Sequence, residues 1–494
     1  MSVFPSSSIG LPNSLNYTLP PSASDSCRSY SVNLSPDGIT SVVSAGAVAL
    51  VNGAVVQPQF NSQVVSFTIP SGNSNSVFID PTHTTLNFSL TYALSTAGAG
   101  GTSLVSKLLS SAASFFDQLV LYSNNTPLEQ INQYGLIQHF LLQNTVSTSE
   151  RFGGISVAMG TDSNSSNGIE LGVGATTYRY NFSIPLLSMI GVNSDKIFPI
   201  GMLNNLQLQM TTATNLPIIF YTVGAATQPV YSTPYTLSEF SLNLKYIDIG
   251  EMAANMLMST LQNDRILYRT STYTNSQVTL PTGSSGSQQL LLQIRNTSVK
   301  SVYHMFGMSN SVGANSLICP NGYYDAINIG CNSRQLQIGG SFFPNKPIND
   351  ISRASEGYIY LIQSLGGSIP KSLGTIVNKE MYCSIGGIAA APTGANVETF
   401  LVLPAATVRT FAATVATNIG ALSVLDFPNS HFLGYDLERL GGVMFSGYNT
   451  RSTPPFLNLN LTAALTATIT CNAWGYSDVI LAFDIGSKSV QAFI

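Results

Sequence analysis

Charge is what this 494-residue sequence has least of: 19 Lys and Arg and 23 Asp and Glu amount to 9% of the chain, with a net charge of −4, where ordinary globular proteins carry about a quarter. So sparse and balanced a set gives no electrostatic reason to seek nucleic acid or an anionic membrane. Before Lys107 the only Lys or Arg is Arg28, which excludes a basic N-terminal arm that neutralises phosphates by counterion release. Histidine is scarce too. His83, His139, His304 and His431 include no i,i+4 pair and stand in no carboxylate motif that spells a metal site. His139 reads as a packed or surface side chain. His431 has Asp426 and Asp436 close in sequence, but no G-x-S-x-G elbow accompanies them, and "TGSSGS" at 282–287 has the wrong spacing. The carboxylates do not cluster, so a paired-acid glycosidase site has no visible anchor.

Other absences narrow the field further. "TAGAGGTS" (96–103) lacks both the G-K-[ST] of a P-loop and the G-x-G-x-x-G of a dinucleotide site, and basic patches interleaved with aromatics are missing. The single tryptophan, Trp474, reads as a core or turn residue rather than a sugar platform. Cys27, Cys319, Cys331, Cys383 and Cys471 are odd in number and form no C-x-x-C pair, so they are expected as reduced, mostly buried thiols; a Cys319–Cys331 bridge is the weaker alternative. The opening "MSVFPSSSIGLPN" lacks the charged start and apolar run of a signal peptide, and nothing marks the chain for secretion. "SVVSAGAVALVNGAVV" from Ser41 is short of a bilayer span and broken by Ser44 and Asn52; it reads as a pair of buried strands, and no transmembrane segment is expected. No metal or other cofactor is expected either.

What is present is uncharged polarity over β periodicity. Ser, Thr, Asn, Gln and Gly fill stretches such as "SGNSNSVF" and "GTDSNSSNG", a surface suited to dense, repeated protein contacts. "SQVVSFTI" (62–69), "TTLNFSLTY" (84–92), "DQLVLYS" (117–123), "YRYNFSI" (178–184), "LNNLQLQM" (203–210) and "EFSLNLKYI" (239–247) alternate apolar and polar residues, as strands with one packed and one wet face do. "LEQINQYGLIQHFLLQN" (128–144) breaks the pattern and reads as a short helix on Leu128, Ile131, Leu136, Phe140 and Leu141. A second set of strands follows the midpoint: "SQQLLLQI" (287–294), "RQLQIGG" (334–340), "TFLVLP" (399–404), "FLNLNLTAALTATITC" (456–471) and "DVILAFDI" (478–485). Long polar connections at 307–333 and 364–395 separate them, lengths that usually carry surface function or order against a neighbour.

Between the two sets lies "FSLNLKYIDIGEMAANMLMS" (240–259). Phe240, Leu242, Leu244 and Tyr246 finish a strand, and Asp248 stands three residues before Glu251, a capping-box spacing. The helix that follows has an apolar stripe of Met252, Met256, Leu257 and Leu261 and ends near Asn263 and Asp264. The resulting division is an N-terminal arm or edge-pairing segment at 1–60, a first β domain at 61–248, a connecting helix at 249–264 and a second β domain at 265–494.

Several of these stretches resemble double jelly-roll major capsid proteins of double-stranded DNA viruses, those of polinton-like viruses and virophages above all. They are "LNLKYIDIGEMAANMLMS" at the close of the first roll, "FPIGMLNNLQLQM" (198–210), "RQLQIGGSFFPNKPI" (334–348), "FSGYNTRSTPPFLNLNL" (445–461) and the strand-loop-helix cadence of "ASFFDQLVLYSNNTPLEQINQYG" (113–135). They occur in the family's order from about residue 60 onward. The acid and double arginine of giant-virus members is replaced by Gly250, Glu251, Met252 and Ala253. The resemblance implies an all-β chain of two consecutive eight-stranded antiparallel jelly rolls, with a short connecting helix and a few loop helices. It also implies a non-enzymatic subunit of the virion shell, assembled inside the host cell, that forms homotrimers and then a lattice, with penton and minor capsid proteins as further partners and no sequence-specific nucleic-acid binding. The long loops would form outer towers. A surface β-sandwich or spike that binds glycans through its loops is the alternative, and a two-domain β enzyme a third reading.

Overall fold

In the computed structural model the described residues are 27–38, 63–93, 103–161, 170–223, 233–259, 265–308, 324–366, 430–440 and 445–493, with short gaps inside some of these ranges, plus the segments 41–43, 49–51 and 54–56 and residues 377 and 382–383. The expected strand at 399–404 and most of the two long connections lie outside them.

Sixteen strands build two sandwiches. The first uses β1 (Arg28–Leu34), β2 (Val64–Ile69), β3 (Val77–Ala93), β4 (Phe116–Ser123), β5 (Thr126–Asn132), β6 (Thr177–Pro185), β7 (Leu206–Thr212) and β8 (Thr233–Asp248). One sheet has the order β1-β8-β3-β6 and the other β2-β7-β4-β5. The second uses β9 (Arg265–Leu280), β10 (Gly286–Leu291), β11 (Val299–Met308), β12 (Cys331–Ile338), β13 (Ser341–Ile348), β14 (Leu433–Asp436), β15 (Phe456–Leu461) and β16 (Ile469–Asp484), in sheets β9-β16-β11-β14 and β10-β15-β12-β13. The two orders are the same once eight is added to each number. In each, first pairs with eighth, second with seventh, third with sixth and fourth with fifth. That nesting is a long antiparallel ribbon wrapped across two sheets, which is a jelly roll.

Local chemistry explains the elements. In β7 the burial alternates along "LQLQMTT", with Leu206, Leu208 and Met210 fully buried and the glutamines between them on the other face. The β4–β5 hairpin turns on Asn124 and Asn125, both with positive φ (48° and 63°), the backbone a two-residue type I′ turn requires. This turn places Leu128 and Ile131 in β5 rather than in a helix, because the hairpin register carries pairing from Ser123↔Thr126 to Gln118↔Asn132. The helix expected over 128–144 therefore begins later, as α1 (Tyr134–Thr145). Further helices are α2 (Gly154–Met159), α3 (Glu251–Ser259) and α4 (Ala354–Ser364); α4 follows the fifth strand of its roll as α1 does in the other.

Three other features complete the rolls. Part of the segment expected as an arm or edge-pairing segment is an edge strand of the first roll: β1 pairs with β8 from Arg28↔Asp248 to Leu34↔Leu242. Ser41–Val43 also pairs with β8, and Ala49–Val51 forms a hairpin with Ala54–Val56. A small sheet of Glu170–Val173, Ser103–Leu108 and Ile218–Val223 grows from the connections of the first roll. Finally, β17 (Ser489–Phe493) extends the second roll by pairing with β16 from Ile480↔Phe493 to Asp484↔Ser489.

Candidate functional site

The feature that sets this chain apart from two sandwiches on a string is the seam between them. β9 and β16 pair without a break from Arg265↔Asp484 to Leu280↔Ile469, and at about 3.4 Å per residue the ribbon runs on the order of 50 Å. One end serves the second roll, where Leu280, Ile469, Cys471 and Ala473 enter its core. The other end enters the core of the first roll through Tyr268, Val479, Leu481 and Phe483, joined by Tyr303, Met305 and Trp474. The two rolls thus share apolar interior, and Trp474 is fully buried within it, as a core residue should be.

Three parts of the first roll grip the second roll along this seam. Phe198, in the loop between β6 and β7, meets Tyr268 and Phe483 edge-on at 5.3 and 5.4 Å, an arrangement that aromatic quadrupoles favour. Phe140 on α1 lies 4.9 Å from Tyr303 and 5.1 Å from Phe432, and Ser430 Oγ donates to Gln143 Oε1 at 2.8 Å. Gly135 is needed at the start of α1, since a Cβ there would stand 2.8 Å from both the Tyr324 hydroxyl and Ser114 Cα. Third, Glu129 on β5 is buried and accepts hydrogen bonds from Ser188 Oγ at 2.5 Å, Met189 N at 2.8 Å and, across the seam, Thr272 Oγ1 at 2.8 Å. Burial pushes its carboxyl up to about 7, against the pull of those three donors.

The joint lies at one end of the seam. Asp248 Oδ1 accepts from Ser76 Oγ at 2.5 Å and from the Gly250 amide at 3.0 Å, and these bonds hold its carboxyl below the usual range. Gly250 has φ +79° and its carbonyl accepts from Ala254 N at 3.0 Å, so the glycine opens the helix and Glu251 is its first residue. Asp248 fastens the turn ahead of α3 and ties it to the loop before β3. Of the expected apolar stripe, Met252 is 78% exposed and Leu257 packs partly on the core, while Met256 and Leu261 are not among the residues whose side chains are described; Ala254, outside that stripe, is buried. Beside the joint an open cleft of about 510 Å³ is lined by Tyr30, Pro70, Ser74, Asn204, Asn205 and Asp248, with Tyr30 stacked on Tyr246 at 5.5 Å.

A further concentration of polar groups is inside the second roll. Arg334, buried on β12, donates to Asp350 Oδ1 at 2.5 Å and to His431 Nε2 at 3.4 Å. His431 Nδ1 donates to the Tyr382 carbonyl at 2.8 Å. Burial and the Arg334 charge push His431 down to about 3, so it is neutral, and the same causes hold His304 well below its ordinary value. For Asp350 burial raises and Arg334 lowers; with the guanidinium in contact, the pair is ionic. Asp350 lies in the turn after β13 and His431 in the loop before β14, and no sequence spacing announces the three. Asp436, by contrast, pairs with Ser301 at the sheet edge, away from any triad, and Asp426 is outside the described residues.

A nucleophile is hard to find in these surroundings. Burial pushes the Cys471 thiol up to about 12 and that of Cys331 further, and a thiol so held does not ionise near neutrality. Cys331 and Cys471 are buried and free, Cys383 is buried, Cys27 is exposed and free, and Cys319 lies outside the described residues. Among the described residues no three of His, Cys, Asp and Glu come together to hold a metal, and no helix is long and apolar enough to cross a membrane.

Comparison with known proteins finds no matching family model and no matching curated protein. Solved structures do match. The protein of the PBCV-1 virus capsid aligns over 95% of this chain and 97% of its own with a TM-score of 0.53 at 11% identity. That of the Sputnik virophage aligns over 95% and 88% with a TM-score of 0.53 at 10% identity. The Faustovirus major capsid protein aligns over 96% and 93% with a TM-score of 0.52 at 9% identity. The chain has the double jelly-roll fold of viral capsid proteins. At such low identity the likeness is one of architecture, extending through both rolls in their order along the chain. The motif "FSGYNTRSTPPF" shows what architecture asks of sequence: a Cβ on Gly447 would stand 2.5 Å from the Val299 carbonyl oxygen, so only glycine lets this segment lie against β11.

Proposed function

We propose that this chain is the major capsid protein of an icosahedral double-stranded DNA virus and acts by assembly. Three copies associate into a capsomer that presents six rolls in a near-hexagonal outline on a threefold axis, and capsomers tile the facets. The observation that carries this reading is the pair of rolls with one strand order, fixed to each other by a shared core. A subunit whose two rolls keep a constant mutual angle can imitate a hexamer with three copies, and rings closed by heterologous contacts are the expected use of such a subunit. The charge-poor, Ser-, Thr- and Asn-rich composition supports lattice contacts that are polar and insensitive to salt. On this reading the protein resides in the virion shell. Its partners are further copies of itself, then penton and minor capsid proteins, and it has no catalytic role.

The test is the mass of the purified protein in solution. Light scattering should give a trimer near 157 kDa, three times the 52.4 kDa chain, and micrographs should show roughly hexagonal particles. A stable monomer at tens of micromolar would overturn the proposal.

A further inference from the structure

We propose that Glu129 is a proton-operated latch between the two rolls: the seam is tightest on the neutral carboxyl and loosens when that carboxyl gives up its proton. The proposal concerns the chain itself and does not depend on the capsid reading.

The geometry suits both protonation states unequally. Glu129 Oε2 receives Ser188 Oγ and Met189 N from the loop after β6, while Oε1 receives Thr272 Oγ1 from β9 of the second roll. Only the Met189 amide is obliged to donate; the Ser188 and Thr272 hydroxyls can donate or accept. A neutral carboxyl therefore keeps all three contacts. Oε2 stays a carbonyl for Met189, and an O–H on Oε1 donates to Thr272 once that hydroxyl rotates. The ionised carboxylate keeps them as well, but at 2% exposure it lacks solvent, and among the described residues no neighbouring charge acts on it. A buried ion without a counter-charge favours whatever movement lets water in.

Other titratable groups stand close to Glu129. Tyr134 on α1, which accepts from Leu187 N at 3.0 Å and from Gln138 Nε2 at 3.3 Å, is electrostatically coupled to Glu129 and is itself pushed up to about 12 by burial. Tyr268 on β9 donates to the carbonyls of Met189 at 3.0 Å and Lys196 at 3.2 Å. The Lys196 side chain is exposed. At this contact Glu129 is the carboxyl that burial lifts toward neutrality. Because its value in the folded chain stands above the ordinary 4.5, at about 7, the folded state binds the extra proton. Stability is then greatest below 4.5 and declines as pH rises through 7.

The experiment uses the full chain and its Glu129→Gln variant, in which the carboxamide keeps the shape and both kinds of contact without the titration. Unfolding constants are read from Trp474 fluorescence at pH 5 and pH 8. From values of 4.5 and about 7, the wild-type constant should rise on the order of 70-fold more than that of the variant across this interval. Equal pH dependence in the two proteins would overturn the latch. Should E129Q fail to fold, Thr272→Val removes the hydroxyl from the second roll alone. An isotope-edited infrared titration of the carboxyl should then place its midpoint near 7 in the wild type and higher in T272V. A midpoint near 4.5 in the wild type, or no shift in the variant, refutes the proposal. Light scattering on the same samples counts subunits independently, so failure of the latch and failure of the capsid reading are distinguishable.

Discussion

Replacing Phe198 by alanine should separate the behaviour of the two rolls. The ring is fully buried and lies 5.3 and 5.4 Å from those of Tyr268 and Phe483, which themselves pair at 6.2 Å. The backbone of Phe198 exchanges two hydrogen bonds of 2.8 Å with Ile79, and these survive the substitution, so the loop keeps its place and the loss reports the ring. Phe→Ala in a core costs about 3–5 kcal/mol, depending on how far the cavity can collapse. Collapse is restricted here because the Tyr268 hydroxyl is tied to the Met189 and Lys196 carbonyls, which places the expectation near the upper end, about 4–5 kcal/mol. Urea unfolding followed at once by Trp474 fluorescence and far-UV circular dichroism is the assay. The wild type should give coincident transitions, and F198A should lose stability and show the two probes parting as the rolls uncouple. Phe198→Leu, which refills most of the space, should lose about 1–2 kcal/mol. A loss below about 1 kcal/mol in F198A with coincident transitions would mean that the shared core does not couple the rolls.

Two further substitutions probe the polar contacts. Asp350→Asn strands the buried Arg334 charge and should cost about 3–5 kcal/mol in denaturant unfolding, whereas Arg334→Met combined with Asp350→Leu should recover most of that loss; an equal loss in the double variant would show that the unpaired charge is not the cause. Asp248→Ala removes the contacts to Ser76 and Gly250 and should cost about 1 kcal/mol at neutral pH, a modest figure because the site is part-exposed. Since the folded state depresses the Asp248 carboxyl below 3.8, its contribution is present above 3.8 and lost as pH falls through the lower folded value, so the two proteins should converge in acid, and a gap that widens there would refute the assignment.

Much of the scaffold was legible because alternation is a local signal. The stretches at 62–69, 84–92, 178–184 and 203–210 lie within strands or overlap them closely, and the change of pattern after Asp248 does mark α3. The start of α1 was misplaced because Leu128 and Ile131 fit a helical spacing as well as a strand; the pairing of β5 with β4 decided the matter, and pairing is not local. β1 is hard to read for a related reason: Tyr30, Val32 and Leu34 alternate with Ser29, Ser31 and Asn33, but the run is short and mostly exposed, and its partner β8 lies more than two hundred residues away. The same limit hides the seam. Glu129 and Thr272 are 143 residues apart and Ser430 and Gln143 are 287 apart, and Arg334, Asp350 and His431 sit on one strand and two loops with no motif in common. Composition could say only that buried charge would be rare; it could not say which carboxylate goes inside.

The ribbon of β9 and β16 has a consequence for how the molecule comes into being. Its two strands are separated by nearly all of the second roll, with Arg265 paired to Asp484, so the surface that receives Phe198 is not complete until residues 469–484 have been synthesised. During translation the first roll must wait with that face open while some two hundred further residues emerge, on the order of 10–40 seconds at ordinary rates. A nascent chain in that interval displays apolar surface to every sibling on the same messenger. Premature contact between siblings is therefore the characteristic hazard of this architecture, and a need for holding chaperones during synthesis follows from where one strand falls in the sequence.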